Sequence, residues 1–161
     1  MEALSGVFDA VPIDWLVLGG ITVVVALDVL RAGLGRAIAI SIALPLAAFL
    51  FTLVDETVVL GSLDALSGAT AQAGLFAVLA VALFFLVSRM GLDYVDGGMG
   101  EPVQALLAGG ATAAIFASIW LQMPILSEWW SLSDQVQAIF APAFRFWWIV
   151  GSYAALAFAR G

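Results

Sequence analysis

The charged side chains that interrupt apolar sequence mark where this chain could do chemistry. Asp28 is the foremost of them. It lies near the end of an apolar run, with Arg31 three residues on and Arg36 across a short turn. An ionised aspartate at the centre of a membrane helix costs about 2.5–3.5 kcal/mol on insertion scales, so it calls for a partner or a pathway. The plainer reading sets Asp28 at headgroup level, balanced by Arg31 and Arg36, and its position within a turn of the helix end favours that reading. Arg145, in the last apolar run, could neutralise Glu128, Asp134 or an acidic group within 55–64, or it could snorkel to lipid phosphate. Asp93, Asp96 and Glu101 fall in a Gly-rich loop but lack the alternating ligands of a calcium loop, so a solvated acidic loop is the better reading. Asp55 and Glu56 are adjacent, and their side chains diverge.

The sequence contains no Cys and no His. That removes thiol chemistry, disulfides, imidazole acid–base work and a serine triad. Asp28 has no second mid-membrane acid for aspartyl proteolysis, and no phosphate-binding Gly loop follows a strand. The expectation is a protein that is not an enzyme and needs neither metal nor cofactor. A net charge of −7 argues against nucleic-acid binding, which needs a basic face.

Composition fixes the solvent. Of 161 residues, 64% are apolar and 11% charged, and the mean hydropathy is +1.13. A soluble domain carries about 25% charged residues. The chain therefore reads as an all-α, polytopic integral membrane protein whose main partner is the lipid bilayer.

Two apolar runs, residues 13–30 and 37–54, are joined by Arg31-Ala-Gly-Leu-Gly-Arg36. Each is about 27 Å long as a helix, close to the hydrocarbon core. This hairpin is expected to organise the chain, with Gly33 and Gly35 breaking the helix and Pro45 kinking the second run. Further spans are expected over residues 72–88 and 103–125. Residues 138–159 form either a fifth span or a re-entrant segment, because Pro142 and Arg145 interrupt them. A short interfacial helix is expected within 58–66. Asp14 suits the first turn of its helix, where an acid complements the dipole. Ser131 or Ser133 could cap a later helix.

Small residues mark the expected contact faces: Gly19, Gly20 and Thr22 in the first run, and Ala37, Ser41 and Pro45 in the second. The fourth run carries a double stripe, Gly109/Ala113/Ala117 beside Gly110/Ala114/Ser118. Trp residues near helix ends read as an interfacial belt. Arg31, Arg36 and Arg89 share one side if the N-terminus is outside, which makes the Arg31–Arg36 turn cytoplasmic. The first run lacks a basic leader and reads as a retained helix.

The order Asp14-Trp15-Leu16, apolar run, Arg31-Ala-Gly33-Leu-Gly-Arg36 and second apolar run resembles the colicin V production protein family. The Gly97–Gly100 loop before a helix bearing Gly109 and Gly110 is similar as well. Ala32 departs from the family's turn, where a second arginine often sits, and the acidic balance and Trp-rich C-terminal run also differ. The resemblance implies four membrane helices in a bacterial inner-membrane protein linked to toxin export or envelope maintenance, without catalytic residues. Together these readings point to a non-enzymatic subunit or scaffold, homo-oligomeric or part of a larger membrane complex. A small channel or transporter component, with Asp28 lining the path beside Pro45, is the competing expectation.

Overall fold

The computed structural model describes residues 12–55, 68–90 and 101–159. Among them the chain is all-α, with seven helices and no strand. They are α1 (Ile13–Ala32), α2 (Gly35–Asp55), α3 (Ala69–Arg89), α4 (Pro102–Gln122), α5 (Pro124–Trp129), α6 (Asp134–Ile139) and α7 (Pro142–Ala159). α1 to α4 are long and apolar enough to cross a membrane. The expected interfacial helix within 58–66 and most of the acidic Gly-rich loop lie outside the described residues.

Local chemistry explains the boundaries. Only Gly33 breaks the first hairpin, with φ 83° in the region that favours glycine. Gly35 and Arg36, expected in the turn, already belong to α2. The fourth run does not continue to residue 125. Proline disfavours a helical residue before it, and Met123, ahead of Pro124, is extended at φ −97°, ψ 111°. The chain turns there and restarts as α5. Pro142 similarly interrupts the apolar run expected over 138–159: α6 stops at Ile139 and α7 starts at Pro142. α2, by contrast, runs on as helix through Pro45.

The first hairpin is not the hub. α1 packs chiefly on α4, α2 on α3 and α4, and α7 on α4. Two-thirds of the α4 span is buried, against 17% of α3. The small residues of α4 account for this. Ala105, Ala108 and Ala117 are fully enclosed, and Ala113 is nearly so. Lipid tails are as apolar as the helices, so association depends on close packing, which small side chains permit. α2 contributes Ala37, Ala39, Ala43 and Ala47 to the same core. The outward faces bear Val23, Val24, Phe85, Phe146 and Phe158, all exposed. Such a surface is unfavourable in water and ordinary against hydrocarbon.

At the end opposite the Arg31–Arg36 turn, α5 and α6 form a crosspiece. Leu126, Leu132 and Val136 are buried beneath it, and α5 reaches across to α3. Trp120 donates its indole N–H to the Trp130 carbonyl at 2.9 Å. Its ring also packs against Phe116, Trp129 and Trp130. α7 then returns along α4 as one continuous helix of 18 residues, with Leu156 and Ala159 still buried near its end.

Candidate functional site

At the turn, the guanidinium of Arg36 donates to Asp28 at 2.9 Å. The two side chains are 51% and 36% exposed, so this is a surface pair. Arg31 is exposed and makes no ion pair among the described residues. The expected three-residue cluster is therefore one contact. Pairs of this kind contribute little: Asp28→Asn is expected to shift stability by less than about 0.5 kcal/mol, read as the midpoint of a reversible SDS titration. Pro45 lies nine residues beyond Arg36, about 13 Å along the helix. Asp28 and Pro45 thus stand at different depths and share no site.

Pro45 has a different consequence. It lacks an N–H, which leaves the carbonyl four residues back, that of Ser41, without its helical donor. Tyr153 of α7 fills the gap, donating its hydroxyl to the Ser41 carbonyl at 2.7 Å. The Ser41 hydroxyl lies 3.1 Å from that of Thr112 on α4. Thr112 spends its own proton on the Ala108 carbonyl at 2.8 Å, so Ser41 must be the donor between them. Ser41 and Thr112 are fully buried. One proline thereby creates a polar node that ties α2, α4 and α7 together. The node was missed from sequence; its signal was a serine four residues before an intrahelical proline, with lone hydroxyls on other apolar helices. Tyr153→Phe is expected to cost about 1 kcal/mol. In a Pro45→Ala background, where an N–H returns to Ser41, the same change is expected to cost less than half as much. Equal costs in both backgrounds would break the link.

The double stripe on α4 divides. Gly109 and Ala113 are buried, and a Cβ at Gly109 would collide with the Thr22 backbone of α1. Gly110 is half-exposed, with open space where its Cβ would be. It lines a groove of about 880 Å³ between α4 and α7, walled by Leu106, Leu107, Phe144 and Trp147. Gly19 and Gly20, expected at a contact face, also meet nothing; Thr22 and Ala26 make that approach instead.

Arg145 forms no ion pair with Glu128 or Asp134. Its Nε donates to the Phe140 carbonyl at 3.1 Å, satisfying the C-terminal end of α6. Glu101 enters a capping box with Gln104 at the start of α4, and Asp93 and Asp96 lie outside the described residues. No group of three metal-ligating side chains occurs among the described residues.

Asp14 is only 3% exposed. Its Oδ2 accepts the backbone N–H of Ser133 at 2.6 Å, which fastens α1 to the crosspiece. Its Oδ1 and the Ser133 hydroxyl are both buried without a partner. Ser133 does occupy the N-cap position of α6, yet its side chain makes no capping bond.

A second cavity, of about 740 Å³, opens at the same end between α2, α3 and α5. Its polar lining comes from Thr52, Gln72, Gln122 and Glu128, and Pro45 and Phe51 contribute to its apolar walls.

No known protein family, characterised protein or solved structure matches this chain.

Proposed function

We propose that this chain is a non-enzymatic subunit or scaffold of a bacterial inner membrane, assembled with copies of itself or with other membrane proteins. The observation that carries this reading is the α4/α7 groove. It is apolar, it opens onto the lipid-facing surface, and Gly110 and Gly151 leave its floor without side chains. The mid-bundle hydroxyls of Ser41, Thr112 and Tyr153 are meanwhile taken up with one another and with backbone carbonyls. That arrangement suits helix association better than conduction.

The distribution of arginine supports one orientation, with Arg145 the single described arginine at the crosspiece end. Arg31, Arg36 and Arg89 stand at the turn end, while Asp14, Glu128 and Asp134 stand at the other. The turn end is cytoplasmic and the crosspiece faces outward. The likeness of the Arg/Gly turn to the colicin V production protein family supports a place in toxin export or envelope maintenance.

Site-specific photocrosslinking in native membranes tests the proposal. A photoreactive residue at Leu107, on the groove wall, is expected to capture a discrete partner or a second copy. The same probe at Val24, on the exposed face of α1, is expected to label lipid only. Absence of protein adducts from Leu107, together with ion flux in reconstituted vesicles that Asp28→Asn abolishes, would favour the transport reading instead.

A further inference from the structure

The polar lining of the cavity between α2, α3 and α5 is rich in acceptors, and its only charged member among the described residues is negative. Glu128 supplies a carboxylate, and Gln72 and Gln122 supply carboxamides, whose oxygens can accept. Thr52 spends its proton on the Phe49 carbonyl at 2.7 Å, so its hydroxyl is left as an acceptor. None of Glu128, Gln72 and Gln122 makes a side-chain hydrogen bond or ion pair among the described residues. Among the described residues no arginine lines the cavity. Three of the four described arginines belong to the opposite end, and Arg145 is engaged with Phe140. The remaining walls are apolar, including Phe49 and Phe51. A volume of about 740 Å³ falls within the usual range for small-molecule sites, which pair apolar walls with a few polar groups.

We propose that this cavity binds a primary ammonium group carrying an apolar body. With the Glu128 carboxylate as the only charged group lining it among the described residues, the cavity complements a cation and repels an anion. An –NH3+ group has three donors and no acceptor, which matches the Glu128 carboxylate and the two carboxamide oxygens. A quaternary ammonium could use the negative charge but none of the hydrogen bonds. The apolar body lies against Phe49 and the floor below Phe51, where aromatic rings tolerate a neighbouring cation. A free amphiphilic amine and an aminophospholipid headgroup share this chemistry. The site stands on its own lining and is independent of the scaffold reading.

The test uses the full chain in phosphatidylcholine nanodiscs and monodansylcadaverine, a fluorescent primary amine with an aromatic body. Saturable enhancement is expected, displaced by octylamine but not by octanol or octyl sulfate, and at least several-fold less well by octyltrimethylammonium. Glu128→Gln is expected to weaken binding about tenfold or more, and Gln122→Ala to weaken it several-fold. Asp134→Asn removes the same charge at the same end but outside the cavity, and is expected to leave affinity unchanged. Replacing part of the lipid with phosphatidylethanolamine separates the sources. A weaker apparent affinity for the probe assigns the site to the headgroup, and an unchanged one to a free amine. Non-saturable enhancement equal to that of empty nanodiscs would overturn the proposal, as would equal losses in Glu128→Gln and Asp134→Asn.

Discussion

Gly109→Leu is expected to prevent the bundle from closing, whereas Gly110→Leu, one residue away, leaves it folded. The asymmetry comes from what each position faces. A Cβ at Gly109 would fall on the Thr22 carbonyl oxygen, 3.1 Å from the Thr22 carbonyl carbon and 3.3 Å from the Ala26 nitrogen. All three are backbone atoms of α1 and cannot rotate away. The helices would have to separate, and that would strip contacts from Ala105, Ala113 and Ala117 along the same interface. Overpacking typically costs 1–3 kcal/mol even where side chains can adjust. Here about 3 kcal/mol is expected for Gly109→Ala, and loss of the fold for leucine. At Gly110 nothing lies within 4 Å of the added Cβ, so Gly110→Ala is expected to change stability by no more than about 0.5 kcal/mol. SDS titrations followed by tryptophan fluorescence give both values, and Trp120 reports on the crosspiece directly. Equal losses at the two glycines would refute the close approach of α1 and α4.

Much of this fold was legible because hydrocarbon imposes a simple rule: a backbone with no water to bond must form helices or a closed barrel, and long unbroken apolar runs select helices. Four long apolar runs therefore located α1 to α4 to within a few residues. What could not be read was which helix touches which. Gly109 and Gly110 look alike in sequence, and only the rotation of α4 decides that one meets Thr22 and the other an open groove. Gly19 and Gly20 misled for the same reason. The organising role passed from the α1–α2 hairpin to α4 because adjacency in the chain says nothing about insertion of a later helix. The break at Met123 was available from Pro124 and the restriction it places on its neighbour. The functional candidates divided along similar lines. Of the two arginines that spacing offered to Asp28, the structure pairs Arg36 and leaves Arg31 aside; the short turn brought both within reach, and only the geometry of the α1–α2 corner chose between them. The node at Ser41 joins residues 71 and 112 positions apart, and the cavity at Glu128 gathers three separate segments. Neither leaves a local pattern to find.

Asp14 illustrates how a local explanation can hide a tertiary one. An acid in the first turn of a helix is accounted for by the dipole alone, yet the structure buries this carboxylate and sets it against the Ser133 backbone N–H at 2.6 Å. Asp14→Ala would leave that N–H buried and unpaired. Removing a charged acceptor of this kind costs about 1.5–3 kcal/mol, and the loss is expected to fall on the crosspiece, freeing residues 130–139 from α1. Asp14→Asn separates charge from hydrogen bonding. The carboxamide oxygen can still accept the Ser133 N–H. The asparagine variant is therefore expected to retain most of the native stability, within about 1 kcal/mol. Hydrogen exchange at the amides of 133–139 would read this out. Protection should fall sharply in Asp14→Ala and stay near native in Asp14→Asn. Equal deprotection in both variants would mean that negative charge, rather than the bond to Ser133, holds the crosspiece on α1.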